Sequence, residues 1–160
     1  MSEVVVRPAQ RGDENTILEL LRQLAVYERL EHRFRIDVEL IASDFFCSPP
    51  AVGCDLAFLD GQPAGIVTWY TTYASFSGTR GLYIEDFFVP NELRRRGIGR
   101  ALLARAAKRT VDAGATHIQW SVLKWNRPAI DFYEGVHAER VDDWHIYRLV
   151  GKALSDLAGA

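Results

Sequence analysis

Cysteine, methionine and long apolar runs are all scarce in this 160-residue chain. Its two cysteines, Cys47 and Cys54, stand seven positions apart, a spacing that fits neither a metal site nor a redox pair. The four histidines are scattered and form no ligand cluster, so no metal is expected. No segment approaches the ~18 consecutive apolar residues of a membrane helix, and the opening MSEVVVRPAQ lacks the apolar core and cleavage site of a leader. A cytoplasmic protein without membrane association is the expectation. Positive charge is not in excess either: the net charge of -2 speaks against a dedicated nucleic-acid binder. Repeats and low-complexity stretches are missing, and the loops at residues 48–50 and 76–79 are too short to be interdomain linkers.

What is present suits one globular domain over residues 1–160: a 48% hydrophobic fraction can fill a sizeable core at this length. A β-branched run Val4-Val5-Val6 ends at Pro8, and an apolar stripe at helical spacing runs from Ile17 to Ala25 after Asp13. A second helix is expected from about Asp37 to Phe46, stopped by Pro49-Pro50. Cys54 to Leu59 and Ala64 to Tyr73 read as strands joined at Asp60-Gly61, with a third strand from Leu82 to Val89, together an antiparallel meander. An amphipathic helix follows from Ile98 to near Gly114, then a strand from His117 to Leu123, a short helix from Pro128 to Glu134, and a last strand from Trp144 to Val150. The order β-αα-βββ-α-β-α-β gives an α/β fold with a mixed, mostly antiparallel sheet.

Seven of the 19 lysines and arginines fall between Arg94 and Arg109, directly around RRRGIG. A glycine loop between a strand and a helix is a ready anion site, because the first helical turn exposes unpaired N–H groups and carries about half a positive charge. Glycine lets the backbone approach a phosphate closely. On its own the pair Gly97 and Gly99 is equally a turn flanked by solvated arginines.

The longer strings LYIEDFFVPNELRRRGIGRALL and WSVLKWNRPAIDFYE resemble the GNAT superfamily of acetyl-CoA-dependent N-acetyltransferases, whose R-x-x-G-x-G signature is met by Arg94, Gly97 and Gly99. Leu24-Ala25, Tyr27-Glu28, Tyr83 to Val89, Trp125-Asn126, Pro128 and Phe132-Tyr133 extend the resemblance to the spermidine/spermine (diamine) and thialysine acetyltransferase branch. The resemblance implies a sheet splayed between its central strands, with acetyl-CoA as co-substrate. Phe87, Phe88 and Val89 would then meet the pantetheine arm, while Arg94, Arg95, Arg96, Gly97, Ile98, Gly99 and Arg100 would cradle the pyrophosphate. Asn126 matches a residue at the mouth of the splay, although a helix N-cap explains the same asparagine. Tyr133 matches the general acid that protonates the departing sulfur; the alternative is a core aromatic beside Ile130 and Phe132. Glu85 matches the carboxylate that takes the amine's proton, the alternative being a solvated edge charge.

Alternation on a strand puts Glu85 and Asp86 on opposite faces, so Asp86 is expected to be structural. Tyr27 and Glu28, with Glu85, match the substrate contacts, and a cationic acceptor suits carboxylates and aromatic faces. Arg29, Arg33 and Arg35 favour an acceptor that also carries a carboxylate. In two places the chain departs from the family: His137 stands where a glycine is common, implying an altered turn, and the loop before Trp144 is short, so Asp142 or Asp143 would have to supply an acidic contact found there in polyamine enzymes. The branch implies a homodimer acting on a small polyamine- or diamino-acid-like amine. A protein amine acetyltransferase, a non-catalytic acyl-CoA-binding module and a nucleic-acid binder are the competing readings.

Overall fold

A computed structural model describes residues 3–159. Contacts group the chain into two compact units, one ending at Ser121 and the other beginning at Val122. The first unit holds β1 (Val4–Pro8), α1 (Glu14–Tyr27), α2 (Val38–Asp44), β2 (Gly53–Leu59), β3 (Gln62–Ala74), β4 (Thr79–Phe88), α3 (Ile98–Asp112) and β5 (His117–Trp120). They form one sheet in the order β1-β2-β3-β4-β5, antiparallel except for the parallel pair β4 and β5.

Alternation along the strands builds a core on each face. Ala57, Val67, Leu82 and Ile84 pack with Ile98, Leu102 and Ala106 of α3. On the other face Leu56, Ile66 and Phe88 pack with Ile17, Leu20, Leu21 and Leu24 of α1 and Ile41 of α2. The apolar stripe read in the sequence is therefore the buried side of α1. The expected helix at Asp37 is α2, with Asp37 as its cap: the carboxylate accepts the Leu40 N–H at 2.8 Å. At the β2-β3 turn, Asp60 and Gly61 take φ of 50° and 78°, the positive values that an Asp-Gly hairpin turn requires.

One strand glycine governs how α3 sits. A Cβ on Gly65 would meet the Phe88 carbonyl oxygen at 2.9 Å, Leu102 Cδ1 at 3.0 Å and Ile98 Cγ2 at 3.3 Å. Only a residue without a side chain lets the first turns of α3 lie this close to β3 and β4. A second tie is electrostatic: Asp55, fully buried on β2, accepts from Arg105 Nε at 3.1 Å and Arg109 Nη2 at 2.8 Å, and Arg109 lies 4.4 Å from the Trp69 ring centre.

The second unit contains α4 (Arg127–Gly135) and α5 (Gly151–Ala158). The strand expected at Trp144 to Val150 is not formed: those residues pair with no strand among the described residues, and Trp144, Ile146 and Tyr147 are exposed. Their β-branched and aromatic composition suits a pleated, half-buried surface, and composition supplies no partner strand. The strand expected at His117 to Leu123 ends at Trp120.

Candidate active site

Three features of the first unit meet at one end of β4. The first is the open edge. β5 pairs with β4 from Gly81 to Ile84, whereas β4 continues to Phe88. Asp86, Phe87 and Phe88 pair with β3 on one side and have no strand neighbour on the other among the described residues, which is the splay that the resemblance implies.

The second is the loop. Gly97, at φ 81°, caps α3 in the left-handed conformation, with no side chain bonded to the first amides of the helix. A Cβ there would meet no atom within 4 Å, so glycine answers the backbone twist and leaves open space over the helix start. Arg95, Arg96 and Arg100 are exposed, and no acidic residue lies in the first turn. The cationic cluster read from the sequence divides by partner. Arg105 and Arg109 hold Asp55, and Lys108 pairs with Asp112 at 2.8 Å. Arg95, Arg96 and Arg100, at the loop, have no ion pair among the described residues. Arg94, the signature residue, donates from Nε to the Val89 carbonyl at 3.0 Å and lies 4.5 Å from the Tyr27 ring centre, with Nη1 at 3.3 Å from the Tyr27 hydroxyl. It joins the exit of β4 to the end of α1.

The third is a carboxylate group on the α1 face. Asp86 accepts from the buried Thr68 hydroxyl at 2.5 Å. Register explains how it comes to face that way. Trp69 pairs with Ile84 and Thr68 with Asp86, so Glu85 is an extra residue, a β-bulge. The bulge overturns the expectation from strict alternation that Asp86 points away from the site. Burial first, then the charge of Glu85, raises the Asp86 carboxyl above the usual range, against the lowering effect of the Thr68 hydrogen bond. Glu28, half-buried at the end of α1, is raised by burial and then by the charge of Asp86. Glu28, Asp86 and Glu85 are thus electrostatic neighbours, and Glu85 is the exposed member.

Backbone strain fixes the α1 end of the site. Arg29 takes φ 60°, its N–H bonds the Val26 carbonyl at 3.1 Å and that of Leu30 bonds Ala25 at 2.8 Å. This is the helix stop that glycine usually makes, built with arginine, and it sets the position of Tyr27 and Glu28. No glycine marked it in the sequence. Tyr27 also contacts Phe88, with ring centres 6.3 Å apart.

In the second unit Asn126 caps α4, its Oδ1 accepting the Ala129 N–H at 3.4 Å, so the capping role is realised. Tyr133 lies near the end of that helix, next to Phe132 with ring centres 5.5 Å apart. His137 takes φ 63°, with its N–H on Glu134 and that of Ala138 on Tyr133, both at 3.0 Å. The turn keeps the conformation of a glycine stop although histidine occupies it. Asp142 pairs with Arg140 at 2.9 Å, and Asp142 and Asp143 are both exposed.

Neither cysteine has the setting of a nucleophile. Burial, then the charges of Asp55, Asp86 and Asp13, pushes the Cys54 thiol far above its ordinary pKa, so it stays protonated. Cys47 is exposed and donates to the carbonyls of Asp44 and Pro49. A pocket of about 360 Å³ lies against the other end of α3, beside Trp69, Arg80 and Arg109; no carboxylate lines it, so it offers no base.

Comparison with known proteins agrees with this geometry. Residues 15–137 match the Acetyltransferase (GNAT) family. The thialysine N-epsilon-acetyltransferase of Bos taurus is 34% identical over 99% of both chains. The L-ornithine N5-acetyltransferase of Arabidopsis thaliana is 30% identical over 93% of this chain and 85% of its own. Among solved structures, an integron cassette protein of V. cholerae superposes with a TM-score of 0.82 at 19% identity over 98% of both chains. An aminoglycoside acetyltransferase from an uncultured soil sample gives 0.77 at 20% identity over 92% of this chain and 97% of that one. An open β4 edge leading into a glycine-capped helix, on a chain matched over most of its length, identifies this protein as an acetyltransferase that belongs to the GNAT family.

Proposed function

We propose that the protein transfers the acetyl group of acetyl-CoA to a primary amine of a small polyamine- or diamino-acid-like acceptor, by direct attack within a ternary complex. The observation that carries this reading is the group of three carboxylates, Glu28, Glu85 and Asp86, beside the open edge of β4. The names of the thialysine and ornithine enzymes support an acceptor with two amino groups.

The roles follow from the chemistry. An aliphatic ammonium has a pKa of about 10.4, so a carboxylate must first take its proton. Glu85, exposed to water, is the proposed base, acting through a water molecule. Asp86 and Glu28 hold the ammonium, and Tyr27 offers an aromatic face. The neutral nitrogen then attacks the thioester carbon, the C–S bond breaks, and the sulfur takes a proton from the Tyr133 hydroxyl. The extra proton left on nitrogen passes to water, which returns one to the tyrosinate. A thiol pKa of about 8.5 makes a strong acid unnecessary. The unpaired edge at Phe87 and Phe88 of β4, with Val89 after it, receives the pantetheine arm. The N–H groups at Gly97 to Arg100, with Arg95 and Arg96, take the pyrophosphate, and Asn126 assists at the mouth. With no activated thiol, the direct route is favoured over an acetyl-enzyme.

A homodimer in the cytoplasm is part of the same reading. Exposed Trp144, Ile146 and Tyr147 are side chains that association would cover. Sedimentation at two concentrations tests it: a monomer throughout removes the dimer. For the chemistry, thiol release by wild type and Tyr133→Phe is the test. The expected result is a large drop in kcat with little change in acetyl-CoA affinity, and an unchanged rate removes Tyr133 from the acid role.

A further inference from the structure

Beyond Glu85, away from the open end of β4, the α1 face of the sheet carries two aromatic rings that the mechanism does not use. Tyr70 on β3 and Tyr83 on β4 are paired in register, their ring centres 5.2 Å apart and 28° from parallel. Tyr83 is anchored by a 2.8 Å hydrogen bond between its hydroxyl and Ser121 Oγ. Tyr70 is 38% exposed, so the ring pair is not part of either core. Glu85 follows two residues after Tyr83, exposed and with neither an ion pair nor a hydrogen bond among the described residues.

We propose that Tyr70 and Tyr83, two strand positions away from the base Glu85, form a subsite for the second, non-reacting cation of the acceptor. The inference rests on the small-amine reading above and narrows the acceptor to one with two cationic groups on a short aliphatic spacer. The physical case has three parts. An aromatic face attracts an ammonium through its quadrupole, most strongly where water is partly excluded. Tyr83 stacks on one side of Tyr70 and steadies a ring that stays partly exposed, and the Ser121 bond holds Tyr83 in place. The Glu85 charge reaches this spot: the Tyr70 phenol is raised first by burial, then by Glu85 and then by Tyr83. The same field that disfavours a phenolate favours a cation. Spacing agrees as well, because two strand residues separate Tyr83 from Glu85 by about 7 Å, within the reach of a short diamine.

The test compares 1,4-diaminobutane with 1-aminopentane, which replaces the second ammonium by a methyl group. Each is titrated by calorimetry into the protein saturated with coenzyme A. Wild type is expected to bind the diamine about tenfold tighter than the monoamine, the scale of one partly desolvated cation–π contact. Tyr70→Leu should abolish that preference and leave monoamine binding unchanged, whereas Tyr70→Phe, which keeps the ring, should retain it. Equal affinities in wild type, or a Tyr70→Leu protein that weakens both amines alike, overturn the subsite. Turnover with the same amines reads the transfer reaction separately. Ring-dependent diamine binding without acetylation would sink the reaction and leave the subsite standing. Acetylation of both amines with equal KM would do the reverse.

Discussion

Replacing Arg94 by methionine distinguishes two roles for the signature arginine, because the side chain joins the exit of β4 to the end of α1. Methionine keeps much of the aliphatic stem and removes the guanidinium. A hydrogen bond from a charged donor contributes about 1.5–3 kcal/mol, and the Nε bond to Val89 is of that kind at 3.0 Å. The guanidinium lies 4.5 Å from the Tyr27 ring centre, and a cation–π contact of this type adds about 0.5–2 kcal/mol. The 3.3 Å approach to the Tyr27 hydroxyl is long and adds little. The two main contributions together come to about 3 kcal/mol. At about 2–4 °C per kcal/mol for a chain of this size, the melting temperature should fall by roughly 6–12 °C. The assay is a thermal melt of the ligand-free protein, where no phosphate is present to bind. Arg94→Lys should lose most of the same stability, since an ammonium cannot reproduce the planar contact over the ring. If the ligand-free melt is unchanged while KM for acetyl-CoA rises, the clamp reasoning is refuted and Arg94 serves the phosphates directly.

Three further perturbations follow from the same physics. Asp86 and Glu28 have raised carboxyl pKa values in the fold, so the folded state binds protons more tightly than the unfolded chain. Stability of the ligand-free protein should therefore fall as pH rises from the ordinary carboxylate range through these raised values, and Asp86→Asn should flatten the fall; identical slopes would count against it. Asp13 works in the opposite sense: the Arg7 hydrogen bond holds its carboxyl below the usual range, so its contribution is lost at lower pH, as the folded pKa is crossed. Gly65→Ala should destabilise by about 1–3 kcal/mol in chemical denaturation, since the nearest obstacle is a backbone oxygen that cannot step aside. His137→Gly should raise stability by about 1 kcal/mol, because glycine adopts the φ of 63° without the side-chain penalty; a lower melting temperature would show that the histidine ring is needed.

Much of the frame could be read in the chain because the informative signals are local. The stripe from Ile17 to Leu24, the cap at Asp37, the Asp60-Gly61 turn and the glycine start of α3 each depend on residues a few positions apart. What escaped depends on partners distant in sequence. The bulge at Glu85 is a mismatch between β3 and β4, and alternation within one strand cannot reveal it. It brings Asp86 to the site face, against the expectation from sequence. The segment at Trp144 to Val150 has strand composition without a strand partner. The stops at Arg29 and His137 use the left-handed conformation without glycine, so no residue type announced them. Gly65 was visible only as a glycine inside a strand, a pattern that signals close approach without naming what approaches.

The central claim is amine-dependent consumption of acetyl-CoA. Its most direct test is the rate of thiol release by the wild-type protein with acetyl-CoA and a panel of ornithine, thialysine, 1,4-diaminobutane, spermidine and a lysine-containing peptide. The account predicts saturable release with at least one of the small diamino compounds and little with the peptide. Release that never rises above hydrolysis with any of the amines would contradict it.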